Sequence, residues 1–153
     1  MEFRRAHQVL RGLASLRLLR LRPAIGFSRV AAPIELQWFE EPVRFDAPSS
    51  HWRWLADASR IPLAGVKDFQ GPQFEDAISD RVLRVLQPDV TKWSRITGDV
   101  RVARVAVPAG ERYCPHFFGG GIAILASLHL LVAAGGTGLL EHDCATRMPA
   151  GSG

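Results

Sequence analysis

An α/β fold of repeated strand–helix units, forming the arc of an incomplete (β/α) barrel with about five parallel strands and flanking helices, is the architecture this sequence predicts. Three observations carry that expectation. Short apolar runs bounded by Gly or Pro end near residues 39, 64, 86, 114 and 140, about 25 residues apart, the length of one strand, one helix and two turns. The stretches between them carry apolar residues at helical spacing. At 153 residues the chain falls short of the roughly 250 that a closed eight-strand barrel takes, so five units should leave an open, incomplete TIM-like barrel.

Taken in order, residues 1–22 hold six arginines against one acid, Glu2, with Leu10, Leu13, Leu16, Leu18, Leu19 and Leu21 on no single helical stripe. This basic leader, helical or disordered, has the profile of an organellar transit peptide or of a basic amphipathic helix. Pro23 should start a short helix with Ala24, Phe27, Val30 and Ala31 on its apolar side, stopped by Pro33. Leu36 to Phe39 reads as a strand ending in Glu40-Glu41-Pro42. Pro48-Ser49-Ser50 should open a helix capped by a serine and carrying Trp52 and Leu55, with Trp52 and Trp54 as packing residues.

Ile61 to Gly65 is the next strand and Gly71 to Ser79 the next helix, turning Phe74, Ala77 and Ile78 inward. Val82 to Leu86 should be a strand, and Ile96 to Ala109 a helix with Val100, Ala103, Val105 and Ala106 apolar. Arg112 to Cys114 is a strand. Gly119-Gly120-Gly121 is a turn, or a cradle of backbone amides for an anion. Ile122 to Ala134 is a nearly all-apolar helix, and Gly138-Leu139-Leu140 the fifth strand. The barrel fragment thus spans 23–147, and 148–153 is a disordered tail.

Composition narrows the function classes. A hydrophobic share of 47% with 22% charged residues suits a globular domain. The formal charge of +4 reflects the leader, since the rest of the chain is slightly acidic. No basic stripe with interleaved aromatics follows, which argues against nucleic acid as a partner. The longest apolar run, Ile122 to Ala134, is interrupted by Ser127 and His129 and falls short of the roughly 20 residues of a membrane span. Cys114 and Cys144, one at a strand end and one in the tail, suggest a reduced, cytoplasmic chain rather than a disulfide scaffold.

Glu40, Asp89, His116 and Glu141 each follow a strand-forming run. Any one of them is what a strand exit ordinarily shows. Four in register at the carboxyl ends of parallel strands mark the rim where such folds build sites. Carboxylates on neighbouring strands suit a hard divalent cation, and an Asp beside a His suits general base work, because the carboxylate fixes the imidazole tautomer.

Five segments carry a resemblance: Trp38-Phe39-Glu40-Glu41-Pro42-Val43, Ile61-Pro62-Leu63-Ala64-Gly65, Gln87-Pro88-Asp89-Val90-Thr91-Lys92, Cys114-Pro115-His116-Phe117-Phe118-Gly119-Gly120-Gly121 and Gly138-Leu139-Leu140-Glu141. In that order and spacing they resemble the carboxyl-terminal barrel of the enolase superfamily, in its mandelate racemase and muconate lactonizing branch. The resemblance implies abstraction of a proton next to a carboxylate, with a Mg2+-stabilised enediolate, on the way to dehydration, racemisation or cycloisomerisation of a sugar acid. By position it implies Glu40 as a metal ligand, Asp89 and His116 as the base dyad, and Glu141 as the acid that hydrogen-bonds the enediolate. Lys92 lies beside the dyad without an implied role.

The sequence also departs from the family pattern. Where the family's fifth strand reads Leu-Ala-Gly-Gly-Glu, with the Glu a metal ligand, this chain reads Leu63-Ala64-Gly65-Val66-Lys67. An ammonium in place of a carboxylate should defeat Mg2+ binding. The family's capping domain, its Lys-x-Lys base and its Asp metal ligand would precede Pro23, yet residues 1–22 contain no lysine and no aspartate. Two expectations follow: a truncated relative of acid-sugar dehydratases and racemases, inactive by itself, or a non-catalytic assembly module whose open barrel edge, near Trp38 and the leader's leucines, pairs with another chain or a second copy.

Overall fold

The computed structural model describes residues 20–34, 36–65, 67–69, 71–92, 95–117 and 120–140. Helix α1 (Leu21–Ala31) runs into a 3-10 turn (Ala32–Ile34). Four units follow: β1 (Phe39–Glu40) with α2 (Ser49–Ala58), β2 (Leu63–Gly65) with α3 (Gly71–Ser79), β3 (Val85–Leu86) with α4 (Arg95–Ala106), and β4 (Arg112–Tyr113) with α5 (Gly121–Ala134). The strands form one parallel sheet in chain order, β1-β2-β3-β4. A parallel sheet in sequential order with a helix after each strand is the partial (β/α) barrel that the strand-end spacing predicts.

The strands are shorter than the apolar runs that encode them, but the pairing extends past their ends. Glu41 donates its amide to Ala64 at 2.9 Å, Gln87 to Gly65 at 3.2 Å, Cys114 to Leu86 at 2.8 Å and His116 to Pro88 at 2.9 Å. Alternation then sorts the side chains. Phe39, Leu63, Leu86 and Tyr113 face the helices and join the main core with Trp52, Leu55, Phe74, Ile78, Val102 and Leu130. Trp38, Ala64, Val85 and Cys114 form a small second cluster, capped by the Arg112 guanidinium, 5.3 Å from the Trp38 ring.

Several expectations need correction. The first helix starts at Leu21, two residues before Pro23; a first-turn proline costs no helical hydrogen bond, so it can sit inside. Pro48 precedes α2, and no side chain caps that helix. Val30 and Val105 face outward, and Ser28, which donates to the Ile25 carbonyl at 2.9 Å, is buried on α1 instead. Trp54 is exposed and stacks on His51 at 5.9 Å, whereas Trp52 packs in the core.

The fifth run does not form a ladder among the described residues. Leu139 donates its amide to the Cys114 sulfur at 3.2 Å, so the group that would enter a strand pair is satisfied by a side chain. Gly138 lies so close to β4 that a Cβ there would fall 1.9 Å from the Tyr113 carbonyl oxygen. The segment is pressed against the sheet without extending it. Residues 1–19 and 141–153, which carry most of the leader, the tail, Cys144 and Glu141, lie outside the described residues.

Candidate functional site

Parallel strands all present their carboxyl ends to the same side, and here β1 ends in Glu40 with Glu41 after it, while Asp89 and His116 lie just past β3 and β4. The sheet register brings two of the predicted residues into contact. Asp89 and His116 form a parallel bridge beyond β3 and β4, and Asp89 Oδ2 lies 3.0 Å from His116 Nδ1. Both residues are buried. The other Asp89 oxygen accepts from the Thr91 amide at 2.9 Å and from the Thr91 hydroxyl at 2.5 Å.

Burial alone would raise the Asp89 carboxyl, but the hydrogen bonds from His116 and Thr91, with the charge of His116, outweigh it and hold the group below the usual carboxylate range. An ionised Asp89 can only accept, so His116 Nδ1 carries the proton and donates. Because Nδ1 donates to Asp89 whether the ring is charged or not, the ring nitrogen at which a proton can be exchanged is Nε2.

Glu40 does not join that dyad directly. Its Oε2 accepts from Gln87 Nε2 at 3.2 Å and from Trp38 Nε1 at 3.5 Å, so Gln87, two residues before Asp89, links β1 to β3. The next residue, Glu41, has a left-handed φ of 40° and lies 3.4 Å from Lys67 Nζ through Oε2. Gly65, at φ +144°, allows this approach, since a Cβ there would meet Glu41 Cγ at 3.0 Å. Farther out, Lys92 pairs with Asp68 at 2.5 Å and ties the loops after β2 and β3 together.

Trp38, Glu41, Gln87 and Thr91 escape sequence reasoning as site residues. The doublet Glu40-Glu41 was a signal for Glu41, and the two-residue period from Asp89 back to Gln87 puts both on one side of the chain leaving β3. Two surface clefts, of 350 and 580 Å3, lie among the helices and are lined by residues such as Phe74, Arg101, Trp52 and Asp76; neither is lined by Glu40, Asp89 or His116.

The donor set fits Mg2+ poorly. A hard cation takes several oxygen ligands, yet among the described residues no group of three or more His, Cys, Asp or Glu converges. Glu40 accepts from two N–H donors and Glu41 faces an ammonium.

Comparison with known proteins agrees with the fold. The family model described as "Enolase C-terminal domain-like" matches residues 16–149. The chain is 32% identical over 111 residues to D-galactarolactone cycloisomerase of Agrobacterium fabrum, covering 72% of this chain and 29% of that protein. It is 26% identical to arabinonate dehydratase of Saccharolobus solfataricus, over 72% of this chain and 30% of the relative. It therefore spans about 30% of the length of these curated relatives. A mandelate racemase/muconate lactonizing enzyme from Bordetella bronchiseptica superposes with a TM-score of 0.76 at 44% identity, over 80% of this chain and 35% of that one. The ordered motifs, the parallel sheet and these matches together make the chain a member of the enolase C-terminal domain-like family, in the company of mandelate racemase/muconate lactonizing proteins.

Proposed function

We propose that the chain carries the Asp–His base of an acid-sugar site, in which His116 Nε2 takes the proton from the carbon next to a substrate carboxylate. The 3.0 Å contact between Asp89 and His116 carries this reading, because it fixes the tautomer that a base needs. Asp89 acts as a positioning residue: its charge stabilises the imidazolium formed when the proton arrives. The substrate class, sugar acids or their lactones, follows from relatives named for galactarolactone, arabinonate and galactonate. Loss of a β-hydroxyl as water would make the reaction a dehydration; return of the proton would make it a racemisation. Glu141 is the proposed acid that hydrogen-bonds the enediolate, and Glu40 the proposed metal ligand by family position.

By itself the chain should bind a sugar acid without turning it over. Mg2+ chemistry needs oxygen donors that the described residues do not assemble. The test is to add galactonate or arabinonate to the purified chain, follow the His116 ring resonances by NMR, and assay for keto acid. A saturable shift without product is expected. Keto acid formation refutes inactivity, and the lack of any shift refutes the substrate class.

A second reading, an assembly module completed by another chain, draws on α5. Its residues Ile122, Leu125, Leu128 and Val132 are all exposed, and a contiguous apolar patch is what an interaction surface shows. The open edge is β1, the terminal strand of the sheet, and the Trp38 side chain beside it packs beneath Arg112. Sedimentation velocity decides this reading, and a monomer at every concentration removes it.

A further inference from the structure

The loops after β1 and β2 hold an arrangement that the acid-sugar reading does not use. Glu40 and Glu41 are consecutive buried carboxylates, which would repel one another and any third anion if nothing offset them. One is satisfied by neutral donors, the indole of Trp38 and the amide of Gln87. The other faces the ammonium of Lys67, which is only 4% exposed, at 3.4 Å. Gly65 lets the two loops approach closely enough for this contact.

We infer that Lys67 is a tethered replacement for a divalent cation: its ammonium supplies the positive charge that balances the β1 carboxylates, and its presence excludes a metal ion from this end of the sheet. A lysine can do this because it is a compact point charge on a flexible stem, needing acceptors but no fixed coordination number. A divalent ion entering beside it would meet cationic repulsion and too few oxygen ligands. The inference rests on the family resemblance that makes Glu40 a cation ligand, but not on the proton transfer assigned to His116.

The deciding experiment titrates the full chain with Mn2+, following bound metal by electron paramagnetic resonance, for the wild type and for Lys67→Glu and Lys67→Gln. The wild type should show no saturable binding up to about 10 mM, and its thermal midpoint should not respond to Mn2+. Lys67→Glu, which removes the cation and adds an oxygen donor, should bind at least about 100-fold more tightly and melt higher with Mn2+. Lys67→Gln should fall between them. If Lys67→Glu folds only with Mn2+ present, that recovery counts in favour. Saturable wild-type binding within a few-fold of Lys67→Glu overturns the inference, as does the absence of binding in both variants. Because the readout is metal and not His116 or keto acid, failure of the acid-sugar reading would leave a distinct signature.

Discussion

Asp89 and His116, 27 positions apart in the chain, meet at 3.0 Å because each follows its strand at the same height of a parallel sheet. The dyad is therefore a product of register: His116 donates its backbone amide to Pro88 at 2.9 Å, and the side chains meet one residue further along. Asp89→Ala would leave the buried imidazole without its acceptor and strand the Thr91 donors. Its expected cost is about 2–4 kcal/mol in urea unfolding. Asp89→Asn should retain the fold while mixing the His116 tautomers, read from long-range 15N–1H correlations.

The depressed Asp89 carboxyl sets a pH dependence with a definite sign. Its folded pKa lies below the ordinary value of 3.8, so the unfolded state binds the proton more readily. The associated stability is present above that ordinary value and is lost as pH falls through the lower folded pKa. Urea midpoints followed downward from pH 5 should fall more steeply for the wild type than for Asp89→Asn.

Glu111 behaves in the opposite sense. Burial raises its carboxyl, against the opposing charges of Arg84 and Arg81, and its Oε2 lacks a hydrogen-bond partner among the described residues. The ionised form is thus disfavoured by folding at neutral pH. Glu111→Gln keeps an acceptor for Arg84, which lies 2.7 Å away, and should stabilise by about 1 kcal/mol at pH 7. The gain should shrink as pH drops through the folded pKa toward the unfolded one, where the wild-type carboxyl also becomes neutral.

At the Lys67–Glu41 pair, removing one charge should cost more than removing both. Both side chains are at least nine-tenths buried, so Lys67→Met leaves a desolvated carboxylate without its ammonium, with an expected loss of about 3 kcal/mol. Adding Glu41→Gln should recover part of it. A double-mutant cycle in urea measures the coupling, and additive losses would show that the contact contributes nothing.

Gly138 tests how the last described segment is held. Gly138→Ala places a methyl group onto the Tyr113 carbonyl, and the segment must lift away. Destabilisation of about 1–3 kcal/mol is expected, with faster hydrogen exchange at Leu139.

Much of this was readable from residues alone. The 25-residue spacing of apolar runs gave the unit order, and α3 matches its expected bounds, Gly71–Ser79, because Gly71 and the Asp80-Arg81 turn punctuate it. Glu40, Asp89 and His116 could be placed at the strand exits because each apolar run stops at or just before them. What could not be read were contacts between side chains far apart in sequence. Gln87 reaching Glu40 and Lys67 reaching Glu41 depend on sheet register, which no local pattern encodes. The fifth run differs for a related reason: Gly138-Leu139-Leu140 has strand-like composition, but the Leu139 amide donates to a thiol instead of a carbonyl.

That sulfur contact gives the chain a chemical clock. The buried Cys114 thiol is held by the Leu139 amide, so in a Cys144→Ser background its alkylation rate should rise when that segment opens more often. A single mass-spectrometric time course, compared between the wild type and Gly138→Ala, would therefore report how firmly the run after α5 is held against the sheet.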